Sequence, residues 1–426
     1  DNDEWEIGVQ IADVSHYVLP DTALDKEAYR RSTSVYLVGR VLPMLPEKLS
    51  NVLCSLRPNE DKLSYSVIFR FDSKLNLKDQ WIGRTVIHSD HRLTYEDAQE
   101  IIDGKESPLS DPMYLVNGIA RKLRKKRFQT GSINFSTDEI RFELNEEGKP
   151  VGAYIKEPKP ANQLIEEFML LANKTISQYI NNKKQGPEIP FIYRIHDLPD
   201  EDKLQELAII ANELGFKMDV NSPKNVAKAF NAMTKKAEND GAYKILSHLA
   251  IRTMAKAEYS SDNIGHYGLG FSYYSHFTSP IRRYSDVIAH RILYRNAGDQ
   301  VYRVNKPKLE EKCQHISRQE RKAIHAERES IKLKQVEYAE QFLGKEVDGT
   351  VSGMIDRGIF VEVLDSRSEG LIGFDRFGER FDLGASNASA KGLTTGRTIR
   401  IGDSIRVRIA EVDLHRRQIE FELVEE

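Results

Sequence analysis

Cysteine is scarce in this 426-residue sequence, which contains only Cys54 and Cys313. Two cysteines cannot form the disulfide framework of a small secreted protein, and these two belong to no zinc-type cluster. The scarcity fits a reducing compartment, so we expect the protein to be cytoplasmic.

Long hydrophobic runs are also missing. No stretch approaches the roughly 18 apolar residues that a membrane span needs. The first residues are acidic, whereas a signal peptide begins with basic residues and continues with an apolar segment. We therefore expect neither a membrane segment nor a secretion signal.

A large excess of one charge sign is absent as well. The chain has 62 Lys and Arg residues against 65 Asp and Glu residues, a formal net charge of −3. This balance argues against a uniformly basic nucleic-acid binder. It does not exclude a local basic channel, because the field of a protein depends on how its charges are distributed.

The stretch HFTSPIRRY, residues 276–284, combines helix-start and phosphate-binding features. Ser279 is a good N-cap and Pro280 suits the first helical position, so we predict that a helix begins here. Arg282 then lies in the first turn, with Arg283 beside it. Two guanidinium groups at a helix start could grip a phosphodiester. The alternative is a capped helix that carries two surface arginines.

The densest basic run is RKLRKKR, residues 121–127. It includes Arg124, Lys125 and Lys126, and the aromatic residues Phe128 and Phe135 follow it. Interleaved cations and rings suit single-stranded nucleic acid, because cations hold phosphates while rings stack on bases. Most such runs are simply solvated helix faces, which is the alternative here.

Two further helices carry candidate site residues. Thr94 and Asp97 have the spacing of a capping box, which places Tyr95 at a helix start where its hydroxyl could face a cleft or simply pack. Residues 161–180 form a strong helix prediction. Glu167 lies at the edge of its apolar face, and Glu166 lies further from that face, which weakly favours Glu167 as the cleft-facing carboxylate.

After Gly344 the sequence becomes β-rich. Five short strands predict an OB-type barrel, and residues 375–401 suggest an enlarged loop. The glycine and strand order resembles an S1-type RNA-binding domain. Phe360 and Phe374 could stack on bases, or both could belong to the barrel core.

Six motifs in order carry a wider resemblance. They are IADVSHYV (Ile11–Val18), TSVY (Thr33–Tyr36), VLPMLPEKLSNVLCSL (Val41–Leu56), LRKKRFQTGSINF (Leu123–Phe135), LIEEFMLLAN (Leu164–Asn173) and HFTSPIRRYSDVIAHR (residues 276–291). Together they resemble the ribonuclease R / ribonuclease II family of exoribonucleases over nearly the whole chain. The resemblance implies an α+β (mixed α/β) catalytic domain over residues 1–343, followed by an all-β OB-fold barrel over residues 344–426.

The same resemblance implies an activity and roles for individual residues. The activity would be hydrolytic, processive 3′→5′ degradation of single-stranded RNA to nucleoside 5′-monophosphates by a monomer without a small-molecule cofactor. Tyr36 and Phe135 would clamp the terminal nucleotides. Tyr95 and Glu167 would contact the terminal sugar, whose 2′-hydroxyl separates RNA from DNA. Arg282, or alternatively Arg283, would stabilise charge at the scissile phosphate.

A convincing metal-binding cluster of carboxylates is missing. Phosphodiester hydrolysis of this kind uses two Mg²⁺ ions held by carboxylates. Acidic residues 1–4, 96–97 and 200–202 form no convincing cluster. Family members carry an aspartate-rich motif just upstream of IADVSHYV, so the Mg²⁺ ligands are expected before residue 1. Two other functions therefore stay open: a non-catalytic RNA-binding protein, and a scaffold that uses the barrel for protein contacts.

Overall fold

The computed structural model describes residues 4–134, 139–183, 186–237, 241–384 and 387–424. The α-helices in these ranges are α1 Val14–Tyr17, α2 Ala23–Arg31, α3 Tyr95–Ile102, α4 Ser110–Gln129, α5 Pro160–Asn181, α6 Glu201–Glu213, α7 Pro223–Ala237, α8 Gly241–Thr253, α9 Tyr284–Arg295 and α10 Lys306–Glu340. A π-helix covers Lys48–Leu53, and 3₁₀ turns cover Tyr267–Leu269 and Phe374–Phe377.

The strands fall into two groups along the chain. In the first part they are β1 Trp5–Ala12, β2 Val35–Leu37, β3 Arg40–Leu42, β4 Asp61–Phe71, β5 Leu77–His88, β6 Glu139–Leu144, β7 Pro150–Lys156, β8 Tyr193–Ile195 and β9 Glu258–Ser260. The later strands are β10 Glu346–Ile355, β11 Gly358–Val363, β12 Glu369–Gly373, β13 Phe381–Leu383, β14 Ser389–Gly392, β15 Thr398–Arg400, β16 Ser404–Asp413 and β17 Gln418–Leu423.

An antiparallel sheet in the order β1-β4-β5 supports the first part of the molecule. In its central strand β4, Tyr65, Val67 and Phe69 turn into the apolar core with at most 1% exposure, and Ser64 and Ser66 between them are also buried. Helices α5 and α9 contribute to the same core. Helix α9 has nine buried residues among its twelve, so it runs through the interior rather than along the surface.

Helix α10 spans 35 residues and connects the first part to the barrel. It packs against β2, β7, β9 and α9 in the first part, and against β16 and β17 in the second. The sequence predicts a long helix over residues 310–343, and the structure confirms the helix with bounds of Lys306 and Glu340. The boundary predicted at residues 343 and 344 falls between α10 and β10.

The last part is a closed barrel in the order β10-β11-β12-β17-β16. Antiparallel pairs form most of it, and a parallel contact between β12 and β17 closes it. The predicted fold class, a mixed α/β part followed by an all-β OB-type barrel, is confirmed. The prediction of a loop over residues 375–401 is wrong, because β13, β14 and β15 form a separate antiparallel sheet there.

The barrel core extends beyond the barrel itself. Ile245 of α8 and Val336 and Ala339 of α10 are buried in the same apolar cluster as Val351, Ile372 and the other barrel residues. The two parts are therefore joined by shared core packing as well as by the chain. Among the described residues, no helix is both long enough and apolar enough to cross a bilayer.

Candidate functional site

The stretch that contains Arg282 is a turn, not the first turn of a helix. Helix α9 begins at Tyr284, and Arg283 is its N-cap with an extended backbone (φ −137°, ψ 124°). The predicted helix start at Ser279 is therefore wrong. The cause is non-local: Ser279 donates its N–H to the Asp286 carboxylate at 2.7 Å, and Arg283 forms a β-bridge with Thr33. These contacts hold residues 279–283 outside the helix.

The two arginines of this turn have different surroundings. Arg283 donates from Nε and Nη2 to the two carboxylate oxygens of Asp286 at 2.9 and 2.8 Å. Burial alone would lower the pKa of Arg283, but the charge of Asp286 raises it above its ordinary value. Arg282 is exposed and has no ion-pair partner in the described part of the chain. Arg282 is thus the arginine whose guanidinium is available to a ligand.

Tyr36 lies close to this turn. The Ser34 N–H donates to the Arg282 carbonyl at 3.0 Å, and Tyr36 follows two residues later on β2. The Tyr36 N–H donates to the Glu327 carboxylate of α10 at 2.8 Å, while the side chain is 48% exposed. The fold therefore brings the backbone at Tyr36 close to that of Arg282, and the roles predicted for the two side chains stay predictions.

Tyr95 opens α3, as the sequence predicts. Thr94 and Asp97 form the capping box, and the Tyr95 side chain is 44% exposed. Helix α3 is tied to the start of α5, because the Ala161 N–H donates to the Gln99 side chain at 3.0 Å. Tyr95 and Glu167 thus lie on neighbouring helices.

Glu167 is buried, with 3% exposure, and is held by arginines of α4. Arg127 donates from Nε to both Glu167 oxygens at 3.2 Å, and Arg124 lies 3.5 Å away. Arg127 also donates to the Ser132 hydroxyl at 2.8 Å. Glu166 is about half exposed and faces the same arginines at 3.3 and 3.8 Å. The carboxylate favoured from the sequence is therefore the buried, paired one, and its neighbour is the more accessible.

The segment that leads to Phe135 is anchored on two sides. Ile133 donates its N–H to the Gly268 carbonyl at 2.9 Å, and Asn134 donates to the Asn231 side chain at 2.7 Å. Phe135 itself lies outside the described residues, so its predicted clamping role stays a prediction.

A basic cavity of about 1000 Å³ opens beside these elements. Its cationic lining residues are Arg124, Arg127, Arg252, Lys256 and Arg328. Glu166 is the single carboxylate among its described lining residues, so the cavity carries an excess positive charge. Arg252, Lys256 and Arg328 are exposed, and no ion pair involves them within the described ranges. Such a cavity favours a polyanion.

Two histidines form part of the cavity wall. The rings of His196 and His266 stack with centroids 4.9 Å apart, and the Gly268 N–H donates to His196 Nδ1 at 3.0 Å. Burial, and then the nearby His196, lowers the pKa of His266 to about 3, and burial also lowers the pKa of His196. Both rings are therefore neutral at pH 7, and the positive charge of the cavity comes from arginine and lysine.

The basic run on α4 is divided between ligand-accessible and internal roles. Lys125 and Lys126 are exposed. Arg124 and Arg127 each lie over the Phe128 ring, with the guanidinium carbon 4.9 Å from its centroid. The predicted interleaving of cations and rings is real, but for these two arginines the ring is a neighbour in the fold.

The two barrel aromatics differ. Phe374 is buried, with 7% exposure, and its ring stacks on Phe381 at 4.8 Å. Phe360 is partly exposed on β11. Of the two alternatives left open by the sequence, the core position applies to Phe374, and Phe360 keeps a surface that a base could reach.

Only some of the predicted site residues line a cavity. Arg124 lines the basic cavity, whereas Glu167 and Lys126 line a neighbouring cavity of about 240 Å³. Tyr36, Tyr95 and Arg282 lie on the surface outside both, so one shared channel stays a prediction. Sequence reasoning missed Arg252, Lys256 and Arg328, because the α8 region and α10 line one cavity only in the fold and the three residues share no motif.

The described residues do not fit a magnesium site. Within them, no group of three or more His, Cys, Asp or Glu side chains could hold a metal ion. Asp13, which follows β1, is buried and pairs with Arg84 at 2.8 Å. Its carboxylate also accepts from the Ser15 hydroxyl at 2.6 Å, so it acts as a structural group here.

The RNB domain model matches residues 1–298, and the S1 RNA binding domain model matches residues 340–423. Ribonuclease R of Aquifex aeolicus is 39% identical over 433 residues, which cover 99% of this chain and 60% of that protein. Ribonuclease R 1 of Lactococcus lactis is 35% identical, with coverage of 99% and 52%. The chain thus spans little more than half the length of these relatives.

A solved ribonuclease R structure also resembles this chain. The Mycoplasma genitalium RNase R in complex with ribose methylated single-stranded RNA superposes with a TM-score of 0.89 and 28% identity. The match covers 98% of this chain and 67% of that chain.

Proposed function

This chain belongs to the RNB-domain family, and from that premise we propose that it forms the RNA-gripping part of a hydrolytic 3′→5′ exoribonuclease. The substrate is single-stranded RNA, which is shortened processively to nucleoside 5′-monophosphates. The observation that carries the proposal is the basic cavity, where the exposed cations Arg252, Lys256 and Arg328 form no ion pair within the described ranges. The single-stranded RNA in the M. genitalium relative supports RNA as the polyanion that enters it.

In this proposal the chain positions the RNA and stabilises charge. The three exposed cavity cations hold phosphates, and Lys125 and Lys126 extend the basic surface along α4. Tyr36 and Phe135 stack on terminal bases, which tolerates every base because each has a π-face. Phe360 adds a stacking surface on the barrel. Because phosphate and stacking contacts carry no base code, the activity is not sequence-specific.

Arg282, Tyr95 and the α5 carboxylates act at the RNA end. Arg282 is free to donate to the phosphate and to stabilise the charge that develops there. Arg283 is held by Asp286 and therefore supports the turn. Tyr95 and Glu167 contact the terminal sugar, with Glu166 as the accessible alternative.

The metal, cellular location and oligomeric state are proposed for the complete protein. Mg²⁺ would supply the activated water, and the described residues offer no ligand set for it. We propose a cytoplasmic monomer that needs no small-molecule cofactor.

The test compares two proteins on a 5′-labelled 20-nucleotide RNA. The 426-residue chain should bind the RNA without releasing mononucleotides, because its described residues lack a carboxylate cluster. The complete gene product, including whatever its gene encodes before Asp1, should release nucleoside 5′-monophosphates with Mg²⁺. In that protein Arg282→Ala should slow cleavage by about 10²-fold with little change in RNA affinity, as loss of a transition-state donor does.

Each contrary result has a distinct meaning. Binding without cleavage by the complete product would favour the non-catalytic RNA-binding protein, the second candidate, which the absence of a described carboxylate cluster supports. Unchanged cleavage by Arg282→Ala would remove Arg282 from its role. Arg30→Ala is the matched control, because Arg30 is exposed on α2 and pairs only with Glu27 in the described structure.

A further inference from the structure

A second cavity, of about 290 Å³, lies between the end of α9 and the start of α10. We call it the α9–α10 pocket. It shares no lining residue with the basic cavity and none of the site residues predicted from the sequence. Its volume is at the lower end of the range for small-molecule sites, so it suits a compact ligand.

The floor of the α9–α10 pocket is apolar. Ile288 and Ile292 come from α9 and Leu309 comes from α10, and all three are at most 6% exposed. Val304, in the connection between the helices, continues this floor. An apolar floor binds a flat or apolar ligand body by removing its surface from water.

The wall of the pocket is cationic, and helical spacing explains why. Arg291 and Arg295 lie three and seven residues after Ile288 on α9. Lys308 and Lys312 are likewise one turn apart on α10. Residues three or four apart share a helix face, so each helix presents its cations beside its apolar residues. The two sets meet across the pocket.

The charges of the wall are mostly uncompensated. Arg291 is neutralised by Asp25 at 2.6 Å. Arg295, Lys308 and Lys312 form no ion pair within the ranges that the structure describes, and Asp21 is the single carboxylate among the described lining residues. Three cations therefore face one carboxylate.

Arg295 is also oriented by an aromatic neighbour. Its guanidinium carbon lies 4.5 Å from the centroid of the Tyr302 ring, and Tyr302 is 40% exposed at the pocket. The contact holds the guanidinium beside the pocket without neutralising it.

We propose that the α9–α10 pocket binds a nucleoside phosphate, with the base on the apolar floor and the phosphate among Arg295, Lys308 and Lys312. Phosphate is the anion that a fork-shaped guanidinium and two ammonium groups bind well. The nucleotide could be a free mononucleotide or one unit of an RNA strand. The site goes beyond the proposed hydrolysis and does not depend on it.

Calorimetric titration of the 426-residue chain tests this site with adenosine 5′-monophosphate, inorganic phosphate and adenosine. The monophosphate should bind most tightly, because only it engages both floor and wall. The double variant Lys308→Gln/Lys312→Gln should weaken its binding by about tenfold, the sum expected of two exposed charge contacts. Both lysines are exposed, so the variant should keep its fold, which far-ultraviolet circular dichroism checks.

Two controls locate the binding. Arg318→Gln/Lys322→Gln removes the same charge from exposed positions further along α10 and should leave binding unchanged. Arg30→Ala, at an exposed position on α2, should also leave it unchanged. If Arg252→Gln/Lys256→Gln weakens binding while Lys308→Gln/Lys312→Gln does not, the nucleotide occupies the basic cavity and the proposal is wrong. Absence of measurable binding at millimolar nucleotide would also overturn it.

An eight-nucleotide oligoadenylate distinguishes the two sources. Weaker oligonucleotide binding by Lys308→Gln/Lys312→Gln would support the pocket as a contact for an RNA strand. Unchanged oligonucleotide binding, together with weaker monophosphate binding, would support a site for the free nucleotide. Because neither titration needs cleavage, failure of the proposed exoribonuclease activity would leave this test intact.

Discussion

Glu167 and Arg127 form a buried ion pair whose partners lie 40 residues apart in the sequence. The helical pattern places Glu167 near an apolar face, but it does not show which cation meets it. The sequence therefore identifies the residue, whereas its burial and partner depend on how α4 packs against α5. The same limit applies to Arg282 and Arg283, which look equivalent in sequence and differ because Asp286 binds one of them.

Removing Arg127 should strongly destabilise the fold. In Arg127→Met the Glu167 carboxylate would stay buried without its main partner, which typically costs about 3–5 kcal/mol. Urea denaturation measures the change in the free energy of unfolding. The double variant Arg127→Met/Glu167→Leu should recover most of the loss, because no unpaired charge remains.

Arg121→Met is the matched control for that prediction. Arg121 is exposed on the same helix, and its loss should change the free energy of unfolding by less than about 0.5 kcal/mol. A small effect of Arg127→Met would show that water reaches Glu167 and solvates it.

At the scale of elements, the sequence predicts a helix boundary correctly where that boundary depends only on residues close together in the chain. The start of α3 was predicted from Thr94 and Asp97, because a capping box involves only neighbours in the chain. For α9 the sequence predicts an N-cap at Ser279, about one turn before the observed N-cap at Arg283. Its boundary depends on Thr33, which belongs to a distant segment, and no local pattern contains that information.

The barrel likewise has features that the sequence predicts and one that depends on distant residues. Alternation along the chain predicts its five strands, since each has one face inside. Alternation cannot show that Phe360 is partly exposed whereas Phe374 is buried. Phe374 is covered by Phe381 of the β13–β15 sheet, and the sequence predicts a loop in place of that sheet.

The ends of α4 and α8 should contribute separately to RNA binding. Neutralising the pair Lys125 and Lys126 on α4 should remove two phosphate contacts. Neutralising Arg252 on α8 together with Lys256, which follows that helix, should likewise remove two. For single strands the slope of log K against log salt changes by about 0.7 per contact, so each double Gln variant should flatten it by about 1.4. Fluorescence anisotropy between 50 and 200 mM salt measures the slope.

The two pairs test different surfaces. Unaltered slope in Lys125→Gln/Lys126→Gln would make the basic run an ordinary solvated face. Unaltered slope in Arg252→Gln/Lys256→Gln would remove the basic cavity from the RNA path. Arg318→Gln/Lys322→Gln again serves as the charge-matched control.

At the scale of the whole molecule, partly buried neutral histidines link stability to pH. Burial lowers the pKa of His266 to about 3 and lowers that of His276 well below its usual value, whereas unfolded histidine titrates near 6.5. Below pH 6.5 the unfolded chain therefore binds protons that the folded protein does not. The free energy of unfolding should fall as the pH falls, by roughly 1 kcal/mol per such histidine between pH 6.5 and 5.5.

Urea denaturation at pH 7.5, 6.5 and 5.5 measures this loss. His266→Gln should reduce the pH dependence by its own share, while His91→Gln, at an exposed position, should not alter it. Stability that stays constant across this range would mean that the folded protein takes up protons at His266 and His276.

The shared core between the barrel and the rest of the molecule limits its modularity. Val336 and Ala339 of α10 and Ile245 of α8 complete the apolar interior of the barrel. Exchanging this barrel for another RNA-binding module would leave those side chains facing water or a mismatched surface. A functional graft would have to include the last turns of α10 and a complementary face for α8. The structural unit that could be transferred is therefore larger than the barrel.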